Sequence, residues 1–84
     1  MIRPVKTNTP SKDIPLDQVP SGQKARIVRI EAGHGLKTRL AAMGFLADEP
    51  IEVIRNDRRG QVIIAIKGSK VVLGRGMSHK IFVQ

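Results

Sequence analysis

Two histidines, His34 and His79, and seven Asp and Glu are the main candidates for acid–base or metal chemistry in this 84-residue chain, which contains no cysteine. Catalysis needs a nucleophile or base held by an orienting partner in a protected pocket. His34 stands between Gly33 and Gly35, the setting of an exposed turn residue, and no nucleophile–base–orienter arrangement is legible around it. No catalytic residue is expected, and the chain does not read as an enzyme. A tight divalent site wants three or four His, Cys or carboxylate ligands converging on one point. His34, His79 and the Asp48-Glu49 pair lie far apart in the chain with no ligand spacing between them, so neither a metal site nor a cofactor is expected.

Cationic chemistry is better represented. Arg55, Arg58 and Arg59 cluster around one turn, and Lys67, Lys70, Arg75 and Lys80 could extend them into a basic face. Such a face would hold phosphates non-specifically, which makes a basic nucleic-acid-binding module one reading of the chain. Single-strand binders add aromatic stacking platforms, and here Phe45 and Phe82 are the only aromatics, both in apolar contexts. The same shortage argues against a proline-peptide groove, which aromatics line. Gly33-x-Gly35 lacks the rest of a phosphate-binding fingerprint and reads as a turn.

Fifteen Lys and Arg give a formal charge of +8 and a basic isoelectric point. That balance favours anionic partners: nucleic acid, a membrane surface or an acidic protein. The length allows one domain, since chains this short bury only about 60% of their unfolded surface and cannot support two cores. No stretch approaches the roughly 18–20 apolar residues of a membrane span, and no apolar signal-peptide core stands at the N-terminus. A cytoplasmic location is the expectation.

Four of the five prolines lie in the first twenty residues, and all eight glycines follow Ser21. Residues 1–13 show no sustained periodicity and read as a mobile N-terminal tail; the domain is expected over 14–84. Leu16 and Val19 are spaced like one helical turn before the break at Pro20-Ser21-Gly22. Ala25–Glu31 reads as a strand whose apolar parity changes between Ile27 and Ile30, the mark of a bulge. Leu36, Leu40 and Met43 then fall on one helical stripe, with Gly44 placed to end the helix in a left-handed conformation and Phe45 to fold back on it. This short helix lacks a good N-cap, so packing must hold it. Beyond Pro50, Ile51–Asn56, Gln61–Lys67, Lys70–Gly74 and Lys80–Val83 read as strands. A two-residue turn at Gly68-Ser69 joins the second and third of these, and a tight turn at Gly74–Ser78 precedes the last. The expected fold is mainly β: a small, partly open SH3-like barrel of about five strands with one short α-helix.

The stripe reads as core. A partner would therefore touch the helix edge and its flanking glycine turns, which makes Gly35, Lys37, Arg39 and Gly44 the candidate partner-binding residues. Glycine permits close backbone approach, and a basic rim steers an acidic partner.

Pro20-Ser21-Gly22, Ala25-x-Ile27-x-x-Ile30 and Gly35-Leu36-x-x-Arg39-Leu40-x-x-Met43-Gly44-Phe45, followed by Ile51-x-Val53, a hairpin, Leu73 and Ile81-x-Val83, together resemble the FeoA family over Ile14 to Gln84. The resemblance implies an SH3-like barrel acting as a non-catalytic accessory of ferrous iron transport, partner to the cytosolic part of a FeoB-like transporter. It implies contact with the membrane only through that partner. With neither stacking aromatics nor a helix suited to a DNA groove, no stable nucleic-acid complex is expected; self-association through a barrel edge stays open. One departure stands out. The family usually carries Pro-Gly in the turn before the Ile-x-Val strand, whereas this chain has Ala47-Asp48-Glu49-Pro50. A differently shaped turn is expected there.

Overall fold

The computed structural model describes residues 13–57 and 59–84. Except for Asp13, the expected tail lies outside the described residues, as does Arg58. The domain is mainly β. Its strands are β1 (Ile14–Pro15), β2 (Lys24–Ile30), β3 (Pro50–Asn56), β4 (Gln61–Ile66), β5 (Ser69–Gly74) and β6 (Ile81–Val83). A 3-10 turn, Leu16–Gln18, follows β1, the helix α1 (His34–Ala42) lies between β2 and β3, and a one-turn helix α2 (Arg75–Ser78) precedes β6. The strands form one antiparallel sheet in the order β1-β6-β2-β3-β4-β5, which does not close, in keeping with a partly open SH3-like fold.

Strand β2 is the hinge of the architecture. Lys24–Arg26 pairs with β3, and Ile27–Ile30 pairs with β6, with a register shift between Ile27 and Arg29. The parity change between Ile27 and Ile30 is this bulge: one extra residue bends the strand so that it can serve two surfaces. The curl encloses a core of Leu16, Val19, Ile27, Ile30, Leu40, Phe45, Ile51, Val53, Val62, Ile64, Ile66, Leu73, Ile81 and Val83. In β4, Val62, Ile64 and Ile66 face in and Ile63 and Ala65 face out only partly covered, as the period of two requires. The side-chain amide of Asn56 ties the end of β3 to the 3-10 turn, donating to the carbonyls of Asp17 at 2.8 Å and Val19 at 2.9 Å.

Five expectations are corrected. The sheet gains a strand, β1, two residues paired with β6; so short an element carries no period, and Pro15 is tolerated because the strand is an edge. Helix α1 starts at His34, two residues before the apolar stripe, from Gly33 in an extended conformation with no side-chain cap. Met43 leaves the stripe: Leu40 is buried and Leu36 half-buried, but Met43 is 41% exposed. The reason is that Met43 is already the C-cap, with φ −91° and ψ 2°, so the helical period no longer aims it inward. Finally, the β4–β5 turn is Lys67-Gly68, one residue earlier than expected, because Ile66 pairs with Ser69. Both turn residues have positive φ, 51° and 79°, as a type I′ turn needs to match the strand twist. The segment Gly74–Ser78 makes one helical turn, where a tight turn was expected.

Candidate functional site

Helix α1 ends as its sequence dictates. Gly44 takes φ +100°, its N–H donates to the Ala41 carbonyl at 3.0 Å, and the Phe45 N–H donates to the Leu40 carbonyl at 3.0 Å. This pair of bonds is the Schellman closure, and its hydrophobic contact is Phe45 against Leu40, both buried. The closure turns the chain back toward β2. Between the two lies an open, predominantly apolar groove of 280 Å³, lined on the strand side by Ile27, Val28, Arg29 and Ile30 and on the other by Lys37, Ala41, Phe45, Leu46 and Ala47. Leu46, 49% exposed, stands at this groove. Burying such an apolar wall against a partner is favourable at about 25 cal/mol per Å².

The charges around the groove differ in what they face. Arg29 bonds Asp13 through Nη1 at 2.6 Å and Glu31 through Nε at 2.7 Å, and its guanidinium lies 4.5 Å from the centre of the Phe82 ring. The hydrogen bonds to Glu31 and then Asp13 push its pKa up, so both neighbours favour the charged form. Lys37 has no acidic partner among the described residues.

The four residues assigned to partner binding occupy different settings. Lys37 lines the groove. Gly35 is exposed in the first turn of α1 with open space where a Cβ would stand, and Arg39 is exposed on the same helix outside the groove lining. Gly44 is buried: a Cβ there would lie 3.0 Å from Cδ of Lys67, whose ammonium reaches Glu49 at 3.0 Å. Its place is under the Lys67 stem, where it ends the helix. Sequence reasoning passed over Val28, Ala41, Leu46 and Ala47. The one available signal was the run Phe45-Leu46-Ala47, three apolar residues in a stretch with no period to bury them all.

The departure at Ala47–Pro50 resolves into a loop bonded to the bulge. Asp48 adopts φ +70°, a conformation that Asp tolerates better than most residues. Its N–H donates to the Ile27 carbonyl at 2.7 Å, and its carbonyl accepts from Arg26 Nη1 at 2.9 Å. The far wall of the groove is thereby fixed to the strand.

The other candidate chemistries lie elsewhere. Among the described residues, no three His, Cys, Asp or Glu side chains approach closely enough to hold a metal ion, and His79 Nδ1 lies 2.8 Å from the Arg75 carbonyl. Of the basic residues, Arg55 is exposed on β3, in register with Ile63; Lys70 is exposed on β5, while Lys67 is engaged by Glu49. Among the described residues, no helix is long and apolar enough to cross a membrane.

Comparison with known proteins agrees with this architecture. The chain is 40% identical over 70 residues to Fe(2+) transport protein A of Methanocaldococcus jannaschii, an alignment covering 83% of this chain and 84% of that protein. It superposes on the crystal structure of an iron uptake regulatory protein (FeoA) with a TM-score of 0.80 at 28% identity, covering 86% of this chain and 96% of the other. A manganese-dependent transcriptional repressor shares the fold at 23% identity and a TM-score of 0.79, covering 86% of this chain and 41% of the repressor. The FeoA domain model matches residues 14–84, and with it the chain belongs to the FeoA domain family.

Proposed function

We propose that this chain is a non-catalytic accessory protein of ferrous iron transport that works in the cytoplasm by binding the cytosolic part of a FeoB-like transporter. Family membership supports the transport assignment. The observation that carries the binding role is the groove beside α1, an apolar surface left open at Leu46 with Lys37 on its wall. An open apolar groove edged by charge supports a protein-binding reading. Docking there acts on transport by favouring whichever transporter conformation binds more tightly.

The test is a titration of detergent-solubilised transporter with the full chain, its Leu46→Asp variant and its Val72→Asp variant. Val72, 55% exposed on β5, controls for a surface apolar residue outside the groove lining. Leu46→Asp should weaken binding tenfold or more, and Val72→Asp should leave it unchanged. Absence of transporter binding, together with submicromolar binding to duplex DNA or single-stranded RNA at about 150 mM salt, would replace this reading with the nucleic-acid one.

A further inference from the structure

Strand β2 exchanges partners at its bulge, and among the described residues the exchange leaves an edge without a strand. On the β3 side its ladder ends at Arg26. Ile27 is then satisfied by the loop, its N–H donating to the Glu49 carbonyl at 3.0 Å and its carbonyl accepting from Asp48. Farther along, the Glu31 N–H donates to the Lys80 carbonyl at 2.8 Å, on the β6 side. Backbone groups alternate between the two edges of a strand, so Ile30 directs its N–H and carbonyl to the opposite edge. Among the described residues, no strand pairs with that edge. Val28, Arg29 and Ile30 are also the strand wall of the groove.

An apolar groove running beside an unpaired strand edge has the two components of strand addition. Main-chain hydrogen bonds fix a segment to the edge, and alternate side chains enter the groove. Charge selects the occupant. Arg29 is already met by Asp13 and Glu31, whereas Lys37 has no acidic partner among the described residues. A second copy of the chain would bring its own +8 against this wall, an unfavourable like-charge approach. We infer that the groove receives an extended segment of the transporter, apolar at alternate positions and bearing an Asp or Glu opposite Lys37, added beside β2 through the N–H and carbonyl of Ile30. This rests on the transporter reading above and specifies how the partner is held.

Amide hydrogen exchange tests it in two stages. In the free full chain, the Ile30 amide should exchange at least tenfold faster than that of Glu31. Protection of Ile30 in the free chain would mean that the edge is already occupied and would overturn the inference, whatever the transporter does. With detergent-solubilised transporter added, the Ile30 amide should slow tenfold or more, and Lys37→Glu should weaken binding about tenfold, mostly through the association rate. Binding that leaves Ile30 exchange unchanged overturns strand addition and leaves the transporter reading standing. Failure of the wild-type chain to bind at all overturns both.

Discussion

The N–H of Phe45 donates to the carbonyl of Leu40 at 3.0 Å, across a glycine whose φ of +100° no other residue adopts without strain. That bond closes α1, buries both side chains and sets the wall of the groove. A Cβ at Gly44 would also meet the Lys67 stem at 3.0 Å, but a flexible side chain can move aside. Gly44→Ala should therefore destabilise the domain by about 1–2 kcal/mol, the left-handed penalty for an L-residue. Trimming Lys67 to Ala in the same chain should recover little of that in a denaturant titration. Full recovery would mean that crowding, and not backbone conformation, sets the cost.

Leu40 and Met43 separate core from surface within one turn of chain. Leu40 is fully buried and Met43 is 41% exposed. Leu40→Ala should cost about 2–5 kcal/mol, a large share of the stability of so small a domain. Met43→Ala should stay within about 0.5 kcal/mol of the parent. Thermal or urea unfolding of the two variants side by side checks the contrast; equal losses would put Met43 back in the core.

Asp48 holds φ +70° in the loop that walls the groove. A β-branched residue tolerates that conformation poorly, so Asp48→Val should lose about 1–2 kcal/mol. Asp48→Gly relieves the strain and frees the unfolded chain, two effects that oppose each other. Its stability should stay within about 1 kcal/mol of the parent, and its transporter affinity should be retained, because the carbonyl that Arg26 bonds is kept.

Ser78 ends α2 fully buried, and its hydroxyl has no hydrogen-bond partner among the described residues. Desolvating an unpaired hydroxyl costs about 1–3 kcal/mol. Ser78→Ala should therefore leave the melting temperature unchanged or raise it. A marked fall would reveal a bond made by that hydroxyl in solution.

The elements that the sequence announced are those in which local chemistry and period agree. Val62-Ile63-Ile64-Ala65-Ile66 is a continuous, β-branched-rich apolar run of strand length, Leu36 and Leu40 mark the helix, and Gly44 marks its end. Corrections came where the signal is one residue wide. Met43 fits the helical stripe by spacing, yet the helix is already unwinding at that position. Gly68 suits a turn at either central position, and only the pairing of Ile66 with Ser69 decided which. β1 is two residues long, too short for any period to show.

The groove follows the same division. Lys37 was legible as a helix-edge cation, and Phe45 as the residue that folds back. Val28, Ala41 and Leu46 were not, because they are adjacent neither in the chain nor on any repeating pattern; the bulge of β2, the closure of α1 and the Asp48 loop bring them together. By itself the sequence determined the mainly β class, the bulge, the helix end, the basic charge and the family resemblance, all of which are written in nearest-neighbour chemistry and short periods. Tertiary structure decided which face of α1 is wall and which is core, which cations are already paired, and where β2 changes its partner strand. Those are properties of long-range pairing, and a pairing can be specified only once both partners have been placed.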